Sequence, residues 1–209
     1  MKRLIYSIIY ILCTISLIML CSGCASLKEY WSENYALASD GAIATPPEIN
    51  DGKLETFGVA KYPDREYDII LPEEREIHRI TIYSVNLKSY DILCWDIEKN
   101  KWVSVGGLGG TAKRKNVYFD QYKSTIPKFE HRLRFKTNRI KLSVIRTTTD
   151  SVVTTRTPGK NEKILNQRTE YMQLGRDRMR VDLYDVFRFT DAGIREIEIY
   201  SHAKKPEGK

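Results

Sequence analysis

The sequence predicts an all-β protein, a single β-sandwich or jelly roll preceded by an N-terminal targeting segment. Three observations lead there. Apolar residues recur with period two in several separate segments, the pattern of strands with one buried face. After Trp31, no stretch longer than about ten residues carries the 3.6-residue apolar stripe that a packed helix needs. The 209 residues are 42% hydrophobic and 29% charged, which is enough apolar material for one large domain and excludes disordered or collagen-like chains.

In chain order, the alternating segments are Tyr67, Ile69 and Leu71; Ile80 and Ile82; Ile140, Leu142 and Val144; and Ile197 and Ile199. Further β-rich runs lie at residues 90–97, 101–105, 129–135 and 181–189, with Glu98-Lys99-Asn100 as a hairpin connection. This amounts to about eight to ten short strands with turn residues between them. The run Val105-Gly106-Gly107-Leu108-Gly109-Gly110 lacks the spacing and following helix of a phosphate cradle and reads as a mobile turn. Residues 147–176, rich in Thr, Arg, Asn and Gln, form a long polar excursion: a hairpin arm, a short helix near 162–172, or a disordered loop. Of the four cysteines, three fall in the first 24 residues; Cys94, on an apolar strand, reads as a buried free thiol rather than part of a disulfide framework.

Lys2 and Arg3 precede an apolar run over residues 4–21, the pattern of a membrane-targeting segment. The run ends in Leu20-Cys21-Ser22-Gly23-Cys24, which resembles the lipobox of bacterial lipoproteins, with Cys21 where an aliphatic residue is usual. The resemblance implies thioether lipidation of Cys24 and cleavage before it. An uncleaved signal anchor is the alternative, since about 18 apolar residues reach the lower limit for spanning a bilayer. The expected organisation is residues 1–23 signal peptide, 24–33 lipidated tether, 34–202 folded domain and 203–209 polar tail, with amphipathic helical character in the tether from Leu27, Tyr30 and Trp31. The partner through Cys24 is the lipid bilayer, of the cell membrane or the outer membrane, and the domain faces the periplasm or the cell exterior. Without Lys2 and Arg3 the net charge of +7 becomes +5 (7 − 2), densest at residues 113–115 and 176–180, which then favours anionic envelope polymers over nucleic acid or is simply solvated loop charge.

The order of segments carries a second resemblance. Residues 34–39, Ile49-Asn50-Asp51-Gly52-Lys53-Leu54-Glu55-Thr56-Phe57, the strands beginning at Tyr67 and Ile77, residues 90–96 and 101–105, and Ile194-Arg195-Glu196-Ile197-Glu198-Ile199-Tyr200 together resemble a discoidin, or coagulation-factor type C, domain. That is the galactose-binding-like sandwich, which includes the family 32 carbohydrate-binding modules, and it covers nearly all of the exported part. Independently of the resemblance, Asp51-Gly52 marks a sharp turn, and Thr56, five residues on, can face the same centre. The resemblance implies a structural Ca2+ on Asp51, Thr56 and Glu196, helped by main-chain oxygens of Glu48, Lys53, Thr56 and Arg195. Calcium suits such a site because it takes six to eight oxygens in flexible geometry. Lys53 stands where the family often carries Asp or Asn, and its ammonium is a competing occupant of the cation's place. An Asp-Gly turn bonded to Thr56 and Glu196 without metal is the alternative.

Sugar-binding relatives use loops at one end of the sandwich, which here offer Tyr62, Asp64 and Arg65, then Asn86 and Lys88, then Tyr118 and Tyr122, then Arg146. Trp95 and Trp102 flank a hairpin and are expected to pack in the core. His78, His131 and His202 are scattered, each expected on a solvent-facing or strand-face position, and no nucleophile elbow, zinc-ligand pair or P-loop is present. The expected function is non-catalytic binding of an extracytoplasmic glycan, with docking of another envelope protein as the alternative and enzymatic activity as a third, disfavoured reading. The anchor is testable by metabolic labelling: a palmitate analogue should label the wild type and not Cys24→Ala, and an unlabelled wild type rules the lipoprotein out.

Overall fold

Two long strands, β3 (Glu66–Ser84) and β7 (Lys128–Thr147), run antiparallel from Glu66 opposite Ser143 to Tyr83 opposite Lys128 and carry the rest of the fold. The sequence pattern breaks each of them into two strands. The structure joins the halves through irregular pairing, with register shifts between Ile70 and Arg75 and between Ile77 and Arg79. Such shifts bend a strand without ending it, so each long strand passes from one layer of the sheet into another. The computed structural model describes residues 29–109, 115–160 and 162–203, and a compact unit spans Trp31–Ala203. The signal segment and Cys24, Lys113 and Arg114 of the first basic cluster, and nearly all of the polar tail lie outside the described residues.

One layer consists of β1 (Ile43–Thr45), the first half of β3, the second half of β7, β4 (Leu87–Asp96) and β5 (Lys101–Leu108). The other consists of β2 (Gly58–Ala60), β11 (Ala192–Tyr200), the second half of β3, the first half of β7 and β6 (Val117–Gln121). Every pairing is antiparallel. The core holds Tyr67, Ile69, Leu71, Ile92, Cys94, Ile140 and Leu142 from the first layer and Ile80, Ile82, Phe129, Ile197 and Ile199 from the second. All but Ile92, Cys94 and Phe129 are residues that the period-two pattern singles out; those three fall in the other β-rich runs. Cys94 is free, and burial pushes its thiol up to about 12, so it stays protonated.

Several expectations are corrected. The glycine-rich run is not a turn: Val105–Leu108 complete β5, because Gly106 must lie flat beside its neighbours. A Cβ there would meet Ile92 Cδ1 at 3.3 Å and His131 Nδ1 at 3.4 Å. His131 is fully buried, because it shares the inward face of β7 with Phe129; its Nε2 lies 2.8 Å from the Tyr90 hydroxyl. Burial pushes it down to about 4, so it is neutral at pH 7. The described part of the tether is extended rather than helical. Trp31 forms a bridge with His202, Ser32 N–H donates to the Ser201 carbonyl at 3.0 Å, and the Trp31 and His202 rings stack at 4.8 Å. His78 is partly buried, with Nδ1 3.1 Å from Ser201 Oγ. Trp95 and Trp102 oppose each other across β4 and β5 on the outward face, edge to face at 5.3 Å, with the Arg139 guanidinium near both; they are half-buried and not in the core.

The excursion is a hairpin arm. β8 (Ser151–Thr155), β9 (Lys163–Leu174) and β10 (Asp177–Arg188) form a second, three-stranded sheet in the order β8-β10-β9.

Candidate functional site

The 3-10 turn Pro47–Asn50 delivers Asp51 to the final strand. Gly52 follows with a φ of 78°, a left-handed conformation that favours glycine, and its N–H donates to Glu196 Oε2 at 3.3 Å. The Thr56 hydroxyl lies 2.9 and 3.0 Å from the two oxygens of Asp51 and 3.0 Å from the Lys53 carbonyl. The three side chains singled out in the sequence are thus linked, Asp51 with Thr56 directly and Glu196 through Gly52. Arg195 clamps the loop from the other side, Nη1 donating to the Leu54 carbonyl at 2.7 Å. Lys53 does not fill the centre: its side chain is exposed, and its backbone N–H donates to Asp51 Oδ1. Glu48 is exposed within the 3-10 turn.

Glu196 is 2% exposed and its Oε1 has no hydrogen-bond partner. Burial, with the Asp51 and Glu198 charges adding to it, pushes its carboxyl up to about 8 despite the Gly52 N–H. A buried carboxyl beside a second carboxylate, with one oxygen orphaned, is a donor set suited to a hard cation, so the residues fit calcium. Among the described residues no group of three or more His, Cys, Asp or Glu is placed to hold a metal, so hydroxyl and main-chain oxygens would complete the shell. The sequence reading passed over Asn50, which is buried, donates to the carbonyls of Ala36 at 2.8 Å and Ala42 at 3.3 Å, and leaves Oδ1 unpartnered.

A second convergence joins the segments around residues 62–65, 86, 146–150 and 187–191. Its centre is an ion pair between side chains that are 1% and 0% exposed: Arg65 Nη2 meets Asp150 Oδ1 at 2.7 Å and Nη1 meets Oδ2 at 3.1 Å. Backbone N–H groups of Thr147 and Thr190 donate to the same carboxylate at 3.0 and 2.9 Å. Burial alone would raise the Asp150 pKa, but the hydrogen bonds from Arg65, Thr147 and Thr190 hold it well below the usual carboxylate range. Above the guanidinium, Tyr62 and Phe189 stack at 4.7 Å and 6°, with the Arg65 guanidinium 5.2 and 5.4 Å from their centroids. Phe187 meets Phe189 edge-on at 4.8 Å, and the Arg146 guanidinium lies 4.7 Å from the Phe187 centroid.

Arg65 therefore supports the loops from beneath. Asn86 is also spent internally, accepting from Gly193 N–H at 2.8 Å and donating to the Asp191 carbonyl at 3.0 Å. Lys88 is exposed beside Ser89, which pairs with Arg146. Asp64 is exposed. Tyr118 belongs to a different group, under Arg132 at 3.6 Å, and Tyr122 tilts against Phe129 at 6.2 Å. Sequence reasoning missed Asp150, Phe187 and Phe189; the first closes a polar Thr147-Thr148-Thr149 run, and no local pattern links it to Arg65, 85 positions away.

Two predictions follow from these charges. Asp150→Ala leaves the Arg65 charge buried without compensation and should cost about 3–5 kcal/mol in urea unfolding, whereas a loss below about 1 kcal/mol refutes the sealed pair. For Glu196, the folded pKa near 8 lies above the ordinary 4.5, so metal-free stability is full below pH 4.5 and falls as pH rises towards 8. In chelator, Glu196→Gln should therefore melt above the wild type at pH 8 and level with it at pH 4.5; a wild type that melts higher at pH 8 overturns this.

No protein-family model matches the chain, and no curated protein matches its sequence. Among solved structures it is similar to the family 32 carbohydrate-binding module of Clostridium perfringens NanJ, determined with galactose, at 13% identity and a TM-score of 0.46 over 81% of this chain and 100% of that one. It is also similar to the family 32 module of AlyQ, determined with 4,5-unsaturated mannuronic acid, at 10% identity and a TM-score of 0.46 over 82% and 100%. A chitosan-binding module from a Paenibacillus sp. IK-5 chitosanase/glucanase aligns at 10% identity and a TM-score of 0.44 over 81% and 98%.

Proposed function

We propose that this chain is a lipid-anchored, non-catalytic module of a bacterial cell envelope that binds an extracytoplasmic glycan. It is held to the bilayer through Cys24 and faces the periplasm or the cell exterior. The anchor rests on the Leu20-Cys21-Ser22-Gly23-Cys24 motif. The glycan reading rests on the aromatic and cationic ridge of Tyr62 and Phe189 on loops and Phe187 and Arg146 at the ends of β10 and β7. Aromatic planes suit the apolar faces of sugar rings, and a guanidinium suits hydroxyl or carboxylate oxygens. Pre-organisation by the Arg65–Asp150 pair spares the ligand the cost of ordering the loops. Because the Arg146 guanidinium lies on this ridge while the Asn86 amide is spent, an acidic polysaccharide suits it better than a neutral one.

A structural Ca2+ belongs to the same proposal. Asp51, Glu196 and Thr56 would hold it with main-chain oxygens, its charge would compensate the buried Glu196 carboxylate, and it would tie the 51–56 loop to β11.

In a polysaccharide pull-down at low salt, the wild type should be retained on a uronate-bearing polymer, and less so as salt rises. Tyr62→Ala and Arg146→Ala should each weaken retention about tenfold. No retention of the wild type, or undiminished retention of both variants, refutes the site. For the metal, millimolar Ca2+ should raise the melting temperature of the wild type and leave Asp51→Ala unmoved; a wild type indifferent to Ca2+ favours the metal-free turn.

A further inference from the structure

Among the described residues, the arm ends in an open sheet edge. β9 is the outer strand of the order β8-β10-β9, and all twelve of its residues are exposed. An edge strand presents unpaired N–H and C=O groups to any strand that approaches, and such edges are usually blunted by proline, bulges, shortness or charged side chains; here the charges, Arg168 and Glu170, are of opposite sign. Over residues 166–174 this one carries no proline and pairs regularly with β10; its register shift lies beyond, between Asp185 and Val186. Tyr171 is 70% exposed and Leu174 64%.

We propose that this edge binds a second copy of the chain, β9 against β9 in antiparallel, making one six-stranded sheet across a two-fold axis at Thr169. The charge pattern selects the occupant and the register. A two-fold axis perpendicular to a sheet keeps each residue on its own face, so opposed residues lie at equal distances either side of the axial residue. With Thr169 on the axis, Arg168 of each copy faces Glu170 of the other, forming two opposite-charge pairs. Within one copy Arg168 already pairs with Glu170 at 2.8 Å and with Asp185 at 2.7 Å on that face, so across the axis the charges of the two copies join in one alternating cluster. Gln167 then opposes Tyr171 of the second copy, and Asn166 opposes Met172. Moving the axis by one residue sets Arg168 against its own copy or Glu170 against its own copy, and like charges directly opposite are unfavourable. The strand is thus complementary to itself in the Thr169 register and repelled in the two adjacent ones.

A charge-reversal cycle tests this on the full-length chain in detergent, by sedimentation equilibrium. The wild type should show a monomer–dimer equilibrium. Glu170→Arg and Arg168→Glu should each raise the dissociation constant about tenfold or more, and the double reversal should return it to within about threefold of wild type. Hydrogen exchange serves as a second readout: protection of residues 166–172 should rise with concentration in the wild type and the double variant, and not in the single reversals. A wild type that sediments only as monomer overturns the proposal. So does a dimer indifferent to both single reversals, or a double reversal that fails to restore it.

Discussion

A guanidinium and a carboxylate sealed from water set the geometry of one end of this molecule. Neither charge is tolerable alone in that place, so the chain can close there only when residues 62–65 and 147–150 arrive together with the Thr190 amide. The aromatic stack of Tyr62 on Phe189 follows from that closure, since the ring of Tyr62 and the ring of Phe189 each lie against the same cation. This end of the molecule is therefore built from the inside: a buried ion pair holds in place the rings that lie over it.

At Asp51 and Glu196 the physics runs the other way. There the fold buries a carboxyl with one oxygen unmatched and a second carboxylate nearby, an arrangement that costs free energy unless a proton or a cation answers it. The gain is connectivity, since the Gly52 N–H and the Arg195 side chain fasten an early loop to the closing strand. The two sites thus treat buried charge in opposite ways, one balanced within the protein and one leaving a carboxyl oxygen without a hydrogen-bond partner.

The three-stranded sheet differs from the body. The body buries a continuous core between layers made by two long bulged strands, whereas β9 has solvent on both faces and, among the described residues, no strand beyond its outer edge. Its cohesion rests on cross-strand polar pairs such as Thr169 to Asp182 and Arg168 to Asp185. Such a strand has little to lose by gaining a neighbour, and its charge order restricts which neighbour fits.

Much of the body was legible in the sequence because a strand with one buried face must alternate, and Tyr67, Ile69, Leu71, Ile80, Ile82, Ile197 and Ile199 do so regardless of what they pack against. The Asp51-Gly52 turn and Thr56 were legible for a similar reason, being local chemistry over a few residues. His131 lay within the same logic, two positions after Phe129 on one face, although a titratable side chain reads as polar when taken alone. The bending of β3 and β7, the burial of Arg65 and its union with Asp150, and the arm in place of a helix or loop depend on which distant segments meet. Only the tertiary structure decided them, because exclusion of water, not the identity of a residue, determines whether a charge must find a partner and where.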